Sequence, residues 1–142
     1  SLDLFDGLSA GELGELVHAL HARTYRPGEV VFVEGDIGRA LFILETGRVE
    51  LTRLDSAGKP ERIHTLKPGE FFGEMALLES LPRTATATAT ETSRLHLLYR
   101  SKLDGLLQSQ PRIGVVVMSH LARLLSSRLR RAHGVAPARA DG

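Results

Sequence analysis

Apolar residues near the start of the chain recur at the spacing of an α-helix. They fall on one helical face, at Leu13, Leu16, Val17 and Leu20. Ser9 and Glu12 stand three positions apart just before this run, which is the spacing of a capping box. In that motif each side chain accepts a hydrogen bond from the backbone N–H of the other residue. The pattern predicts that the chain opens with a helix.

From Pro27 to about Tyr99 the pattern changes to short β-rich runs separated by glycines. The runs cover residues 30–33, 41–44, 49–54, 62–66 and 95–99. Residues 56–59 predict the tip of a hairpin between two of these strands. Residues 84–90 alternate Thr with Ala, which predicts a strand with small residues on one face and hydroxyls on the other. We therefore expect a mainly β fold, an antiparallel β-roll or jelly-roll barrel.

Two turns in this region have the same sequence pattern. Residues 26–29 and 67–70 both place Pro-Gly-Glu after a basic residue and before paired apolar residues. Proline presets one turn angle and glycine supplies a positive φ, so both segments predict the same type of turn leading into a strand.

After Tyr99 the pattern becomes helical again. Pro111 is placed to begin a long final helix that runs to about His133, because proline needs no N–H partner at the first helical position. Apolar residues recur along it at Ile113, Val116, Val117, Leu121, Leu124 and Leu125. Such a seam can pair two subunits as a homodimer or pack on the protein's own barrel. Residues 134–142 lack apolar periodicity and predict a disordered tail after a domain at 1–133.

Length and composition restrict the classes of function. A chain of 142 residues fits one domain, and a formal charge of +1 argues against a bulk nucleic-acid or membrane binder. The chain has no cysteine, which excludes disulfides and a thiol nucleophile. No apolar run approaches the roughly 20 residues that cross a bilayer, so we expect a cytoplasmic protein. The chain begins at Ser1 without a methionine, and we expect a processed or cut form.

The residues best suited to bind a ligand lie around a turn that follows a glycine and around a nearby arginine. A helical turn after Gly73 would direct backbone N–H groups at an anion, and Arg83 can pair with a phosphate through two N–H groups. Thr84 adds a hydroxyl, and the N–H groups of Thr84 and Ala85 can join. Glu74, when ionised, only accepts hydrogen bonds, so it would repel a phosphate but can bind a ribose hydroxyl. Donors for phosphate beside an acceptor for sugar indicate a nucleotide.

Two segments of this region carry a family resemblance. Residues 72–77, Phe-Gly-Glu-Met-Ala-Leu, followed by residues 82–86, Pro-Arg-Thr-Ala-Thr, resemble the phosphate-binding cassette of cyclic-nucleotide-binding domains. That family includes the catabolite activator protein, the cyclic-nucleotide-dependent protein kinases and the nucleotide-gated channels. The resemblance extends from residue 2 to about 131. It includes glycines at the family's turns, Gly28, Gly35, Gly47, Gly69 and Gly73.

The resemblance implies a role for each residue of the pocket. Glu74 would hold the ribose 2′-hydroxyl, and Arg83 would pair with the cyclic phosphate, assisted by Thr84. Further phosphate contacts would come from the backbone of Gly73, Met75, Ala76 and Ala85. The residues expected to face the base are Leu51, Ile63, His64 and Leu66. A cap on the base would fall near Ser126, Ser127 and Arg128, which depart from the activator's pattern.

The identity of the purine depends on Thr84. In the eukaryotic kinases of the family, Thr after the arginine accompanies cGMP preference and Ala accompanies cAMP preference. In bacterial members Ser or Thr at this position accompanies cAMP binding, and the hydroxyl then serves the phosphate. We expect cAMP ahead of cGMP as the ligand of a regulatory sensor without catalysis.

Three alternatives compete with this interpretation. One is a domain of the same fold that dimerises or binds a partner without a ligand, and another is a piece of a transcription regulator, channel or kinase. The third is a cupin-like metalloenzyme. No two of the six histidines form a close His-x-His pair with a carboxylate, and His18 with His21 is predicted to share a helical face outside the barrel. We expect no metal, no cofactor and no enzymatic activity.

Direct DNA binding is not expected of these residues. The arginines of the last helix, Arg123, Arg128, Arg130 and Arg131, complement the helix dipole at its carboxyl end and need no DNA to explain them. A transcription factor of the family would carry a helix-turn-helix after this helix.

Overall fold

The computed structural model describes residues 4–132, apart from the side chains of Arg128 and Ala132. Three α-helices are α1 (Ala10–Ala19), α2 (Arg100–Ser109) and α3 (Pro111–Ala132). Between α1 and α2 lie the strands β1 (His21–Tyr25), β2 (Val30–Phe32), β3 (Ala40–Thr46), β4 (Val49–Leu54), β5 (Pro60–Leu66), β6 (Phe71–Phe72), β7 (Thr86–Ala89) and β8 (Ser93–Tyr99). A short 3₁₀ helix spans Glu74–Leu77.

The strands form two antiparallel four-stranded sheets. The first has the order β1-β8-β3-β6 and the second the order β2-β7-β4-β5. Strands distant in sequence pair within each sheet, as in jelly-roll folds. This architecture confirms the predicted β-roll with an amino-terminal helix, a short cassette helix and a long final helix.

The inner faces of the two sheets form a hydrophobic core. Its buried members include Tyr25, Phe42, Leu44, Val49, Leu66, Phe72, Ala87, Ala89, Leu95 and Leu97. In β7 the alanines are buried and Thr86 and Thr88 are only half-buried, which confirms the predicted alternation. Small residues on β7 fit because this strand lies between β2 and β4 with its inner face against the core.

The predicted turns form as expected. The Glu29 carboxylate accepts the Arg26 N–H at 2.6 Å, and Glu70 accepts the Lys67 N–H at 2.7 Å. Both turns place their glycine at positive φ, 88° and 91°. The same side-chain bond in both turns confirms that the two segments share one turn type.

The hairpin between β4 and β5 has its tip where it was predicted. The Asp55 Oδ1 atom accepts the N–H groups of Ala57 at 2.8 Å and Lys59 at 2.9 Å. Gly58 adopts a φ of 79°. An Asp side chain that satisfies the turn backbone favours this tight reversal.

The described chain divides into two compact units. One contains residues 18–103, and the other contains the described residues 4–17 and 104–132. In the second unit the capping box of Ser9 and Glu12 is confirmed, with N–H to oxygen distances of 2.9 and 3.1 Å. Arg112 of α3 donates to the Gly7 carbonyl at 3.0 Å and pairs with Glu12 at 2.8 Å. These contacts join the amino-terminal segment to α3.

One expectation about the region after the first helix was wrong, and one strand there was missed. Helix α1 ends at Ala19, and His21 begins β1, so His18 and His21 do not share a helical face. Strand β1 was not predicted because its residues are mostly polar and exposed, and only Tyr25 is buried. Pairing with β8 forms this strand, and such long-range pairing has no local sequence signal. On α1, Leu16 is buried whereas Leu13 and Val17 are exposed.

The remaining predictions about the chain ends lie outside the described residues. These are the end of the last helix near His133 and the tail at 134–142, so the domain bounds 1–133 stay a prediction. Among residues 4–132, no helix combines the length and apolar character that a membrane span requires.

Candidate functional site

The centre of the predicted site is a left-handed glycine followed by one turn of 3₁₀ helix. Gly73 has φ 76° and ψ 23°, a conformation that a residue with a Cβ rarely adopts. The turn's first hydrogen bond runs from the Ala76 N–H to the Gly73 carbonyl at 3.1 Å. The N–H groups that precede Ala76 therefore lie at the amino-terminal end of the turn. The Glu74 side chain is 4% exposed, whereas Met75 is exposed.

Backbone hydrogen bonds hold the arginine segment against the loop before β3. The Gly35 N–H donates to the Arg83 carbonyl at 2.9 Å, and the Arg83 N–H donates to the Asp36 carbonyl at 2.6 Å. The Gly38 N–H donates to the Leu81 carbonyl at 3.0 Å. The position of Arg83 is thus set by a segment more than forty residues away in the sequence.

The guanidinium of Arg83 reaches the turn that the sequence placed beside it. Its Nη1 donates to the Gly73 carbonyl at 3.3 Å, and its Nη2 donates to the Ala40 carbonyl at 2.8 Å. A guanidinium has five N–H donors, so two carbonyl bonds do not exhaust its capacity. The structure brings Arg83 and Gly73 together, as predicted.

Two phenylalanines lie beneath this guanidinium. The Arg83 Cζ atom is 4.3 Å from the centre of the Phe32 ring and 5.4 Å from that of Phe42. Both distances lie within the range of cation–π attraction. Burial lowers the pKa of Arg83 from its ordinary value, because the charged form loses water. The side chain stays charged nonetheless, since arginine does not deprotonate in proteins.

Gly38 leaves the space that the guanidinium occupies. A Cβ atom at this position would lie 2.9 Å from the Cζ and Nε atoms of Arg83 and 3.0 Å from the Cβ of Ala76. Contacts of that length force a neighbour to move. Gly38 is therefore part of the arginine's environment, although the sequence did not single it out.

The residues after the arginine have different exposures. Thr84 is exposed and Ala85 is buried. The Thr86 hydroxyl accepts the Glu34 N–H at 2.9 Å, which joins the strand to the loop after β2. Thr84 thus presents the accessible hydroxyl of this segment, and Thr86 has a structural role.

The residues predicted to face a base lie on β4 and β5. Leu51 pairs directly with His64, so both side chains lie on the same face of the sheet. Ile63 falls at a register shift opposite Leu51 and Thr52, and its side chain is exposed. Leu66 belongs to the buried core. The structure thus brings Leu51 and His64 together. Ile63 is exposed to solvent, whereas Leu66 is buried in the core.

Comparison with known proteins decides the family. The profile described as "Cyclic nucleotide-binding domain" matches residues 22–110, more than half of the chain. The chain belongs to this family. It is similar to the cyclic AMP receptor protein of Thermus thermophilus, with 37% identity over 91% of this chain and 58% of that protein. It is 36% identical to a cAMP-dependent protein kinase regulatory subunit of Yarrowia lipolytica, over 73% of this chain and 27% of that protein.

A solved structure supports the same assignment. The crystal structure of the Thermus thermophilus catabolite activator protein matches 92% of this chain and 59% of that chain. The TM-score is 0.82 at 37% sequence identity. This cyclic nucleotide-binding domain thus spans less than two thirds of the length of the relatives it matches.

The predicted base cap cannot be placed from this domain's structure. Arg128 lies on α3, and its side chain is outside the described residues. The Ser126 hydroxyl accepts a hydrogen bond from Arg130 at 2.7 Å. The assignment of Arg128 to the ligand site therefore stays a prediction.

No metal centre stands out in the part of the domain that the structure describes. Across residues 4–132, no three His, Asp or Glu side chains are grouped so that they could hold an ion. His96 instead hydrogen-bonds to Glu45 at 2.5 Å, and that bond is the largest cause of the lowered pKa of Glu45.

Sequence reasoning missed the residues that surround the guanidinium. Phe32, Phe42 and the Ala40 carbonyl come from β2 and β3, far from the cassette in sequence. No motif links them to Arg83. Gly38 carried no distinguishing signal in the sequence, because only the structure shows that its φ is not positive and that Arg83 fills the space beside it.

Proposed function

We propose that this domain is a regulatory sensor that binds cAMP, with Arg83 and the turn after Gly73 holding the phosphate and Glu74 the ribose. The observation that carries the proposal is the guanidinium of Arg83 at the carbonyl of Gly73, 3.3 Å away, beside the start of a 3₁₀ turn. The guanidinium and the backbone N–H groups at the start of the turn both attract an anion, and they lie side by side. Membership of the cyclic nucleotide-binding family supplies the class of ligand.

The phosphate end of the ligand suits the donors of the cassette. A cyclic phosphodiester carries one negative charge and two free oxygens. Arg83 offers a charged planar group, and the backbone of Gly73, Met75, Ala76 and Ala85 contributes in the proposed complex. The Thr84 hydroxyl is exposed and can join them. Because the arginine is already partly desolvated, its attraction to an anion is stronger than that of a surface arginine.

The sugar end is assigned to Glu74. Its side chain is buried at the beginning of the 3₁₀ turn, on the residue after Gly73. A carboxylate accepts hydrogen bonds and repels phosphate oxygens, so it favours the ribose hydroxyl over the phosphate. Because the Glu74 carboxylate lies next to the phosphate donors, the proposed site orients the nucleotide, with its sugar at Glu74 and its phosphate at Arg83.

The preference for cAMP over cGMP is supported by the relatives. Both curated relatives described above carry cAMP in their names. Thr84 is compatible with either purine, since its hydroxyl can serve the phosphate or a guanine amino group. Leu51, Ile63, His64 and Leu66 are the proposed neighbours of the base.

Calorimetric titration with cAMP and cGMP tests the proposal. We expect wild-type protein to bind cAMP more tightly than cGMP. Arg83→Ala should weaken cAMP binding by about ten- to a hundred-fold, since a charge-assisted hydrogen bond contributes roughly 1.5–3 kcal/mol. Arg23→Ala is the matched control, because Arg23 also lies over an aromatic ring, 4.9 Å from the centre of Tyr25, but on β1.

Three outcomes would reject parts of the proposal. Unchanged affinity in Arg83→Ala would remove the phosphate assignment. Absence of binding to both nucleotides by the wild-type protein would favour the alternative of a ligand-free interaction domain. Tighter binding of cGMP would reverse the proposed preference and point to the Thr84 hydroxyl as a guanine contact.

A homodimer through α3 is the second part of the proposal. The seam predicted from the sequence divides in the structure, because Ile113, Val117 and Leu121 are buried whereas Val116, Leu124 and Leu125 are half-buried. A second row consists of Val115, Met118, Ala122, Leu125 and Leu129. The second row follows the 3-4 spacing of a coiled-coil seam. Its end members are largely exposed, Val115 at 56% and Leu129 at 61%. Exposed apolar residues at this spacing favour pairing with a second copy.

Sedimentation velocity tests the dimer. We expect wild-type protein to sediment as a dimer and Leu129→Lys as a monomer. Gln108→Lys adds the same charge at an exposed position of α2 and should leave the dimer intact. A monomeric wild-type protein, or a dimeric Leu129→Lys variant, would reject the seam.

A further inference from the structure

A cluster of three aromatic rings lies beside Arg83. The cluster consists of Phe32, Phe42 and Phe72, three of the five phenylalanines in the chain. Their ring centres are separated by 5.5 Å (Phe32–Phe42), 5.8 Å (Phe32–Phe72) and 5.3 Å (Phe42–Phe72). The three rings therefore form one continuous apolar surface.

The cluster draws on both sheets. Phe42 and Phe72 are direct partners of the pairing between β3 and β6, in the first sheet. Phe32 ends β2 in the second sheet. Its ring is closest to the guanidinium, with the Arg83 Cζ atom 4.3 Å from the ring centre. Phe32 thus contacts the arginine from the opposite sheet to the Ala40 carbonyl, which belongs to β3.

These contacts restrict the guanidinium from several directions. The Gly73 and Ala40 carbonyls accept hydrogen bonds from its two terminal nitrogens. The Phe32 ring covers one side, and the space left by Gly38 admits another part of the group. A long arginine side chain normally loses considerable rotamer freedom on binding a ligand. A group already held in place loses less, and its affinity for the ligand is correspondingly higher.

We propose that Phe32, supported by Phe42, is a positioning residue that holds the guanidinium of Arg83 ready for the ligand phosphate. This inference rests on the proposed function of Arg83 as the phosphate ligand. The negative face of the ring attracts the cation and partly compensates for the water that burial removes. Phe32 does not touch the nucleotide and acts through the orientation of Arg83.

A matched pair of substitutions separates this role from simple core packing. Phe32→Leu removes the ring nearest the cation, whereas Tyr25→Leu removes a buried ring of the same hydrophobic core that has no described contact with Arg83. We expect Phe32→Leu to weaken cAMP binding about 2- to 10-fold, the effect of ordering one free side chain on binding. Tyr25→Leu should lower the melting temperature and keep the affinity for cAMP.

The ligand-free protein provides a readout that is independent of the nucleotide. The Arg83 Nε–H resonance, assigned by its loss in Arg83→Ala, should be shifted upfield by the ring current of Phe32. Phe32→Leu should move this resonance downfield, and Tyr25→Leu should move it much less. Replacing Phe32 with 3,4,5-trifluorophenylalanine keeps the ring's shape but weakens its negative face, so it should also weaken cAMP binding.

Equal cAMP affinities of Phe32→Leu and Tyr25→Leu would overturn the positioning role. So would an Arg83 resonance that does not respond to Phe32→Leu, or a trifluorinated protein with wild-type affinity. If the wild-type protein bound no cyclic nucleotide, the proposed function would fail. The resonance shift would still decide whether Phe32 holds the guanidinium.

Discussion

Gly38→Ala changes the position of the Arg83 guanidinium without changing the group itself. The added Cβ would lie 2.9 Å from the Arg83 Cζ and Nε atoms, about 0.5 Å short of an ordinary contact at 3.4 Å. Gly38 is not among the glycines at positive φ, so alanine meets no backbone penalty there. The substitution therefore acts through the displacement of its neighbours.

The structure indicates which property this displacement changes. The added Cβ would meet the hydrogen-bonded Arg83 guanidinium and also the Ala76 Cβ at 3.0 Å, so the free energy of unfolding should fall by about 1–3 kcal/mol, the usual cost of overpacking. A shift of about 0.5 Å would stretch the 2.8 Å hydrogen bond from Arg83 to the Ala40 carbonyl. It would also move the guanidinium relative to Gly73. Losing about half of a charge-assisted hydrogen bond to the phosphate would weaken cAMP binding about 4- to 13-fold.

Calorimetry and urea unfolding measure the two effects separately. Gly105→Ala is the control, because a Cβ on this glycine of α2 meets no atom within 4 Å. It should stabilise the protein by about 0.5–1 kcal/mol and leave cAMP affinity unchanged. If Gly38→Ala bound cAMP as tightly as wild type, the position of the guanidinium in this structure would not be the one that binds phosphate.

Three further substitutions test the site and the fold. Gly73→Ala should cost about 1–2 kcal/mol of stability, since Gly73 is left-handed, and should also weaken cAMP binding because the new Cβ meets the Arg83 Nη1 atom. Ser9→Ala removes one half of the capping box and should lower the urea-unfolding free energy by about 0.5–2 kcal/mol with no change in cAMP affinity. A hydrogen bond from His96 lowers the pKa of Glu45 below its ordinary value of 4.5, so this contribution to stability is present above pH 4.5 and lost as the pH falls through the folded-state pKa. The melting temperature of Glu45→Gln should therefore fall less steeply than that of wild type below pH 4.5, and parallel curves would contradict this assignment.

The parts of the fold with local chemistry were predictable from the sequence. The capping box at Ser9 formed because an N-cap is a contact within one turn of chain. The alternating alanines of β7 and the Asp55 hairpin followed from side-chain period and turn chemistry. Strand β1 was missed because its polar residues take extended form only through their pairing with β8.

The candidate site likewise has one part that was predictable from the sequence and one part that depends on contacts between distant strands. The sequence by itself predicted that Gly73 and Arg83 lie together, and the structure places the Arg83 guanidinium at the Gly73 carbonyl. Only the tertiary structure decided how Arg83 is held. The Phe32 ring and the Ala40 carbonyl reach it from strands that are forty to fifty residues away, and side-chain contacts over such separations depend on how the sheets pack.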